Sequence, residues 1–351
     1  MKNITNQVSF RNLYAFGEKK PIDLSLSENP LGMPPLVKKL LKNIKIDFSD
    51  YPDPDSKNLK FALSNKFALN PSNFFIANGS EAIIKILPMA LLKKNDQVII
   101  PNVTFPMFKI ACLLNDNKII FSRVKDNFQI DIDDIKMRIN SKTKMIIMCN
   151  PNTPTGLTIK KANIIELLKS TKAFVVIDEA NIEFDGQSII DKVNNFPNLI
   201  ILRSFSKGFG LAGARIGFCA SNNNIVKKLE RISPLFLINS LSQKIAITAL
   251  EDKQFIKKTK KFMQKETNFL QQELKKRDFQ IISSNANNFI LNVKPFAKNG
   301  TDFVKKLNKL EVSVVDGIYF GKRCVNFVRV SPRLRKTNLK FLSAIDKLLS
   351  Y

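Results

Sequence analysis

Histidine and tryptophan are both absent from this chain of 351 residues. Without histidine there is no Ser-His-Asp triad, no imidazole general base and no histidine metal ligand. Any catalysis must therefore use lysine, carboxylate, tyrosine or a cofactor. Cysteine is scarce as well: Cys112, Cys149, Cys219 and Cys324 are far apart and form no C-x-x-C pair. That spacing supports neither a disulfide framework nor a zinc site, so no metal is expected, and three of the four stand in or beside apolar runs as inert core residues. No stretch approaches the roughly 18 apolar residues that span a bilayer, and Met1 to Phe10 has no sustained apolar run of the signal-peptide kind. A cytoplasmic protein without a membrane partner is expected.

Glycine is thin too, with 12 residues, yet four of them fall between Gly208 and Gly217. Backbone freedom and close approach are concentrated at one place, as a binding site requires. The remaining composition is ordinary for a globular chain, with 44% apolar and 25% charged residues. The length exceeds one ordinary core and suggests two domains. The excess of 56 Lys and Arg over 30 Asp and Glu gives a net charge of +26. These lysines are dispersed, as in Lys38 to Lys45 and Lys257 to Lys265, with no basic tail and no nucleic-acid motif. A solvated basic surface that attracts anionic small molecules fits this pattern better than a nucleic-acid partner.

Apolar runs recur at Gln97 to Ile100, Lys144 to Cys149, Ala173 to Ile177, Leu199 to Leu202 and Ile216 to Ala220. Most lack alternation, as strands buried on both faces of a mainly parallel sheet do. Helical patterns lie between them, at Ser80 to Lys93 with Pro88 as a kink or break, Lys160 to Lys169, and Asn224 to Arg231. This is an α/β domain, placed at residues 41–233. After Pro234 a long lysine-rich helical segment runs to Arg277. Strands at Asn288 to Val293 and Val325 to Val330 and a helix from Asn338 complete a smaller α+β domain, formed by residues 1–40 with 234–351.

The glycine cluster belongs to Ser204-Phe-Ser-Lys207-Gly-Phe-Gly-Leu-Ala-Gly-Ala-Arg215. A lysine in a partly buried site has its pKa lowered by desolvation and attacks carbonyls as a free amine. Ser204, Ser206 and Arg215 place two hydroxyls and a guanidinium where they can converge on a phosphate beside that amine. A phosphate and an aldehyde on one small molecule point to pyridoxal 5'-phosphate. Such a cofactor needs a carboxylate for its ring nitrogen. Asp178 supplies one at the end of the run Ala173-Phe-Val-Val-Ile, where open α/β sheets place ligands. Gly79 and Ser80 open a helix whose free N–H groups suit an anion. Asn150-Pro-Asn-Thr-Pro-Thr-Gly156 is a turn able to hydrogen-bond a ring hydroxyl, and Phe105 offers a face for stacking.

Taken in order, these motifs resemble the fold-type I pyridoxal-phosphate enzymes of the class I/II aminotransferase group. The resemblance runs from Leu26-Ser-Glu-Asn29-Pro-Leu-Gly32 and Tyr51-Pro-Asp-Pro to Asn326-Phe-Val-Arg329, and within the group is strongest to the histidinol-phosphate aminotransferases. It implies a mainly parallel seven-stranded sheet between helices plus a smaller α+β domain. It implies that Lys207 binds the cofactor covalently and then shuttles a proton, that Asp178 pairs with the pyridine nitrogen, and that Phe105 stacks on the ring. Gly79, Ser80, Ser204, Ser206 and Arg215 would hold the phosphate, with Tyr51 reaching it from the other subunit of a homodimer. Arg329 would clamp the substrate carboxylate, Asn29 would lie near the substrate, and glutamate with 2-oxoglutarate would be the donor and acceptor.

Three positions depart from the family pattern. Thr153 replaces an asparagine, so the ring-hydroxyl contact is expected either to pass to Asn152 or to be weakened. Asn181 replaces a tyrosine and offers an amide to the same oxygen. Val315 stands where an arginine for the substrate phosphate is usual, leaving Arg323, Lys322 and Arg333 as substitutes. The leading expectation is a transaminase of a small amino substrate, phosphorylated or not, with histidinol phosphate the first choice. A decarboxylase of a phosphorylated amino acid such as threonine phosphate shares Lys207, Asp178 and Arg215, and a non-enzymatic basic binding protein on the same scaffold is a distant third.

Overall fold

A computed structural model describes residues 19–350. Residues 1–18 of the expected N-terminal segment lie outside the described residues. After the two-residue β1 (Ile22–Asp23), the chain forms β2 (Phe74–Ala77), β3 (Gln97–Pro101), β4 (Lys118–Ser122), β5 (Thr143–Cys149), β6 (Phe174–Asp178), β7 (Leu199–Ser204) and β8 (Gly217–Ser221). β2 to β8 make one seven-stranded sheet in the order β2-β8-β7-β6-β5-β3-β4. Pairings from β7 through β4 are parallel, whereas β8 runs antiparallel to both β7 and β2.

Unbroken apolar runs make sense in this setting because each strand buries both faces. Ile146, Met148, Val175, Ile177 and Ile201 enter one core, while Met145, Ile147, Val176, Ile200 and Leu202 enter the other. Each such side chain contributes about 1.5–3 kcal/mol by leaving water. The five expected strands are all present. β2 and β4 escape the sequence pattern because one is a four-residue run and the other is a half-exposed edge.

Helices differ from expectation at two places. The helix Gly79–Leu91 runs through Pro88 rather than breaking there, because Pro88 lies in the last turn and is itself buried. The segment expected as one long helix to Arg277 is two, Ser240–Glu251 and Lys253–Lys275. Asp252 divides them: its side chain accepts from Phe255 N at 3.0 Å and from Leu36 N at 3.3 Å, so it caps the second helix and ties the junction to another segment.

Beyond these helices, β9 (Ile281–Ile282), β10 (Phe289–Asn292), β11 (Val312–Ser313), β12 (Val315–Asp316) and β13 (Phe327–Val330) follow. An antiparallel sheet has the order β12-β13-β10-β9, and β1 pairs in parallel with β11. Leu24, Leu270, Phe289, Phe303, Val328 and Phe341 share its core, which draws on the helices Lys253–Lys275, Gly300–Lys309 and Arg335–Leu349. The last of these starts at Arg335, three residues before the expected Asn338.

The arrangement of the large sheet fixes where chemistry can occur. β2, β5, β6 and β7 end on the same edge and deliver Gly79, the turn at Asn150 to Gly156, Asp178 and Lys207 there. β8 runs the other way, so it begins at that edge, with Arg215 two residues before it. Among the described residues no helix is long and apolar enough to cross a membrane.

Candidate active site

At the carboxyl edge of the sheet lies a cavity of about 560 Å³. Its lining includes Gly79, Ser80, Phe105, Asp178, Asn181, Ser204, Ser206, Lys207, Arg215 and Arg329. Residues from four strand ends and the distant β13 therefore meet at one place.

Asp178 closes β6 and is 3% exposed. Its Oδ1 accepts from Ala180 N at 3.0 Å, and no ion pair to it is formed among the described residues. Burial raises its carboxyl to about 7, with the Ala180 hydrogen bond opposing and the charge of Glu179 adding to the rise. A buried carboxylate without a cation of its own is an expensive arrangement. A protonated pyridine nitrogen would complete it. Lys207, three residues past β7, is shifted in the opposite direction. Burial lowers its amine to about 8, assisted by the positive charges of Arg329, Arg215 and Arg333 and opposed by Glu28.

Ser204, Ser206, Gly79 and Arg215 form a cradle for an anion. Ser204 Oγ accepts from Ser206 N at 3.1 Å, and Arg215 Nη1 lies 3.4 Å from Ser206 Oγ. Gly79 has φ +80°, and a Cβ there would meet Arg215 Nη2 at 2.9 Å. The missing side chain leaves the guanidinium close to the first N–H groups of the helix Gly79–Leu91, whose N-cap Asn78 makes no side-chain cap.

A buried ion network lies below. Arg203 of β7 reaches Glu179 at 3.1 Å and Glu183 at 2.5 Å, and a Cβ on Gly208 would lie 2.5 Å from that of Glu183. The network packs against the backbone that follows Lys207. Arg329, which also lines the cavity, donates to Ser25 O and stands over the Phe320 ring at 5.2 Å from its centroid.

Comparison with known proteins gives this geometry a context. Residues 19–345 match the family described as aminotransferase class I and II. The chain belongs to that family. It is a pyridoxal-phosphate-dependent aminotransferase of fold type I. The aminotransferase is 33% identical over 339 residues to the histidinol-phosphate aminotransferase of Clostridium novyi (strain NT), covering 96% of this chain and 94% of that one. The histidinol-phosphate aminotransferase of Pelagibacter ubique (strain HTCC1062) is 32% identical, with 94% and 92% covered. Among solved structures, the histidinol-phosphate aminotransferase from Clostridium acetobutylicum superposes with a TM-score of 0.85 at 27% identity, over 93% of this chain and 99% of that one. The Sinorhizobium meliloti histidinol-phosphate aminotransferase in complex with pyridoxal-5'-phosphate has a TM-score of 0.88 over 97% and 93%; its 19% identity carries the fold alone.

Asn152, Asn29 and Tyr51, singled out from the sequence, lie outside the lining of the aminotransferase's cavity, as do Lys322, Arg323 and Arg333. Asn152 is buried, but its Nδ2 donates to Val103 O at 3.0 Å and to Thr155 Oγ1 at 3.3 Å, while its Oδ1 accepts from Thr104 Oγ1 at 2.9 Å. Its amide braces the turn and leaves the cavity to Thr153 and Asn181, which meet each other at 3.3 Å. Asn29 is held by Gly208 O at 3.0 Å and Thr259 Oγ1 at 3.1 Å, so it anchors the lysine loop from behind. Tyr51 is 81% exposed and stacks on Phe236, with ring centroids 4.5 Å apart.

Other lining residues were not picked out beforehand. Ser27 and Glu28 come from the quoted stretch before Asn29, and Cys149 ends β5. Burial, with Asp178 nearby, keeps the Cys149 thiol well above its usual range, so it is a wall rather than a nucleophile. No signal in the sequence separates Glu28 from Asn29; only the folded backbone shows which of the two faces the cavity. Of the substitutes for the missing arginine at Val315, Arg323 is tied to Asp126 at 3.0 Å and Val124 O at 3.1 Å, and Lys322 is exposed. Arg333 instead contacts Glu28, at 3.4 Å.

Proposed function

We propose that this aminotransferase moves an amino group between histidinol phosphate and 2-oxoglutarate, with glutamate as the second amino compound. The observation that carries this reading is the set of groups gathered in one cavity: the anion cradle of Ser204, Ser206 and Arg215, the Lys207 amine, the Asp178 carboxyl and a further guanidinium, Arg329. Such a set offers separate groups to a cofactor phosphate and to a substrate anion. Relatives named for histidinol phosphate narrow the choice of substrate.

When bound, the cofactor supplies an electrophilic aldehyde and an electron sink for the pair released at the substrate Cα. The chain's own residues do the rest. Arg215, Ser204, Ser206 and the amides of Gly79 and Ser80 would hold its phosphate. Asp178, which forms no ion pair among the described residues, would keep a proton on the ring nitrogen. Phe105 would offer its face to the ring. Lys207, with its amine near neutrality, would provide the free base for covalent attachment and would accept and return the Cα proton, a task suited to a pKa close to working pH. Asn181 and Thr153, which line the cavity, would offer polar groups to the ring hydroxyl in place of the tyrosine and asparagine that the family pattern carries there. Arg329 fixes the substrate's carboxylate or phosphate.

A homodimer completes this reading. Tyr51, Phe236, Leu235, Phe48 and Met33 are exposed apolar groups, and Met33, Leu41 and Arg215 line a second cavity of about 710 Å³. A second copy covering them would bring a Tyr51 to the cofactor phosphate; sedimentation of the purified protein as a monomer would oppose this. Activity is tested by supplying histidinol phosphate and 2-oxoglutarate and following glutamate. Glutamate formation is expected. Release of carbon dioxide from threonine phosphate without glutamate exchange would instead establish the decarboxylase.

A further inference from the structure

We infer that Arg333 is the second substrate-anion ligand of this cavity, held away by Glu28 until a phosphate or distal carboxylate displaces that side chain. The inference rests on the proposed reading only in taking the cavity to receive an amino substrate with an anionic far end. Val315 lies opposite Arg329 in the register of β12 and β13 and is 2% exposed, so the face beside Arg329 carries an apolar group. A single guanidinium is then left for a dianion. Two guanidiniums match a phosphate better, because each contributes a charge and forked donors.

The backbone at Arg333 is fixed while its head is not. Asn338, fully buried, donates to Arg333 O at 2.9 Å and accepts from Arg333 N at 2.8 Å, and is itself held by Glu266 at 2.9 Å. The guanidinium, in contrast, has one contact of 3.4 Å to Glu28 Oε2 and one of 3.4 Å to Leu26 O. Both partners line the cavity, while Arg333 itself stands outside that lining and reaches it through them. Glu28 lines the same cavity as Lys207, so the pair it forms with Arg333 borders the reacting centre.

Its neighbours are committed elsewhere. Arg335 lies flat over the Phe269 ring at 3.5 Å and forks onto Glu266 through Nε and Nη2. Arg323 is tied to Asp126. The Glu28 contact is long, made by one oxygen, and partly solvated on both sides, with side-chain exposures of 25% and 40%. Pairs of this kind contribute little. An incoming anion with several oxygens therefore exchanges for Glu28 at small cost, whereas a neutral far end leaves the pair closed. Selectivity for anionic substrates follows from this exchange.

The test uses the cofactor-loaded enzyme, in which the cofactor phosphate site is already filled, and titrates inorganic phosphate calorimetrically. Arg333→Gln is expected to weaken phosphate binding about ten- to hundredfold, the value of one charged hydrogen-bonding partner. Arg333→Lys should recover part of it, and Glu28→Gln should tighten it severalfold. The same variants are assayed with histidinol phosphate and with unphosphorylated histidinol; Arg333→Gln should shrink the ratio of the two KM values by about tenfold, with the loss in KM rather than kcat. Unchanged phosphate affinity in Arg333→Gln, or weaker affinity in Glu28→Gln, overturns the inference. Should the wild type fail to transaminate histidinol phosphate while the phosphate titrations follow this pattern, the substrate reading falls and the role of Arg333 stands. Bound-cofactor absorbance and thermal melting confirm that each variant is folded, and Arg333→Lys provides the readout if the glutamine variant is not.

Discussion

A Cβ placed on Gly217 would sit 2.5 Å from the amide nitrogen of Ser80. The first residue of β8 thus touches the start of the helix that faces the cavity's anion cradle, at a distance no real side chain tolerates. Gly217→Ala is expected to push the helix N-terminus away, costing about 1–3 kcal/mol of stability and weakening cofactor binding more than an equally destabilising core substitution. Cofactor dissociation measured against urea denaturation checks the pair of effects.

Lys207→Ala should abolish covalent attachment. Borohydride reduction of the loaded wild type is expected to leave the cofactor on the peptide containing Lys207, and no labelled peptide should appear in the variant. Turnover should fall by roughly 10²–10⁴-fold or more, the usual contribution of a positioned acid–base group. A labelled peptide elsewhere would move the chemical centre.

The amine of Lys207, lowered to about 8 by burial and its arginine neighbours, also sets a pH dependence. Capture of pyridoxal phosphate by cofactor-free protein needs the free base, so its rate should rise as pH increases through about 8 and level off above. Stopped-flow absorbance across that range measures it; a midpoint near the ordinary lysine value of 10.5 would contradict the buried site.

Asp178 should trade stability for function. In the cofactor-free protein its carboxyl titrates near 7 rather than 3.8, so the folded state holds a proton that the unfolded chain has lost between those values. Stability attached to this group is full below about pH 4 and is lost as pH rises through 7, by on the order of 4 kcal/mol. Cofactor-free Asp178→Asn is therefore expected to be more stable than wild type at pH 8 and nearly equal at pH 4. Turnover of the loaded variant should fall strongly, because a neutral amide does not hold the ring nitrogen protonated. Thermal melts at the two pH values and steady-state assays test both halves.

Arg203→Met would strand Glu179 and Glu183 in the interior. Removing one partner of a buried ion network costs about 3–5 kcal/mol, and the deficit should be greater at neutral than at acidic pH, where Glu179, whose carboxyl burial already pushes up, takes up a proton. Denaturant unfolding at both pH values measures it. The loop after Lys207 packs on Glu183, so cofactor binding should weaken in parallel.

Much of this protein was written locally in its chain. Unbroken runs such as Lys144 to Cys149 determined a two-face-buried sheet because apolar residues at consecutive positions leave no polar face for water. The absence of histidine removed whole classes of catalysis, and the Ser204 to Arg215 stretch with Asp178 pointed to the cofactor, since each carries its chemistry in residue type and short spacing. Long-range placement was beyond such reasoning. Asn152 and Asn29 had the right chemistry, but the turn beside Thr104 and the contact with Thr259 turned their amides away from the cavity, while Thr153 and Glu28, one position away, face it. At the helix break the cap from Asp252 to Phe255 N is local, but the bond that ties this junction to Leu36 spans more than 200 residues. Arg333 and Glu28 are separated by almost the whole chain; the pairing of β1 with β11 and the bond from Ser331 N to Leu24 O bring their segments together, because backbone packing, not local preference, decides which charges become neighbours.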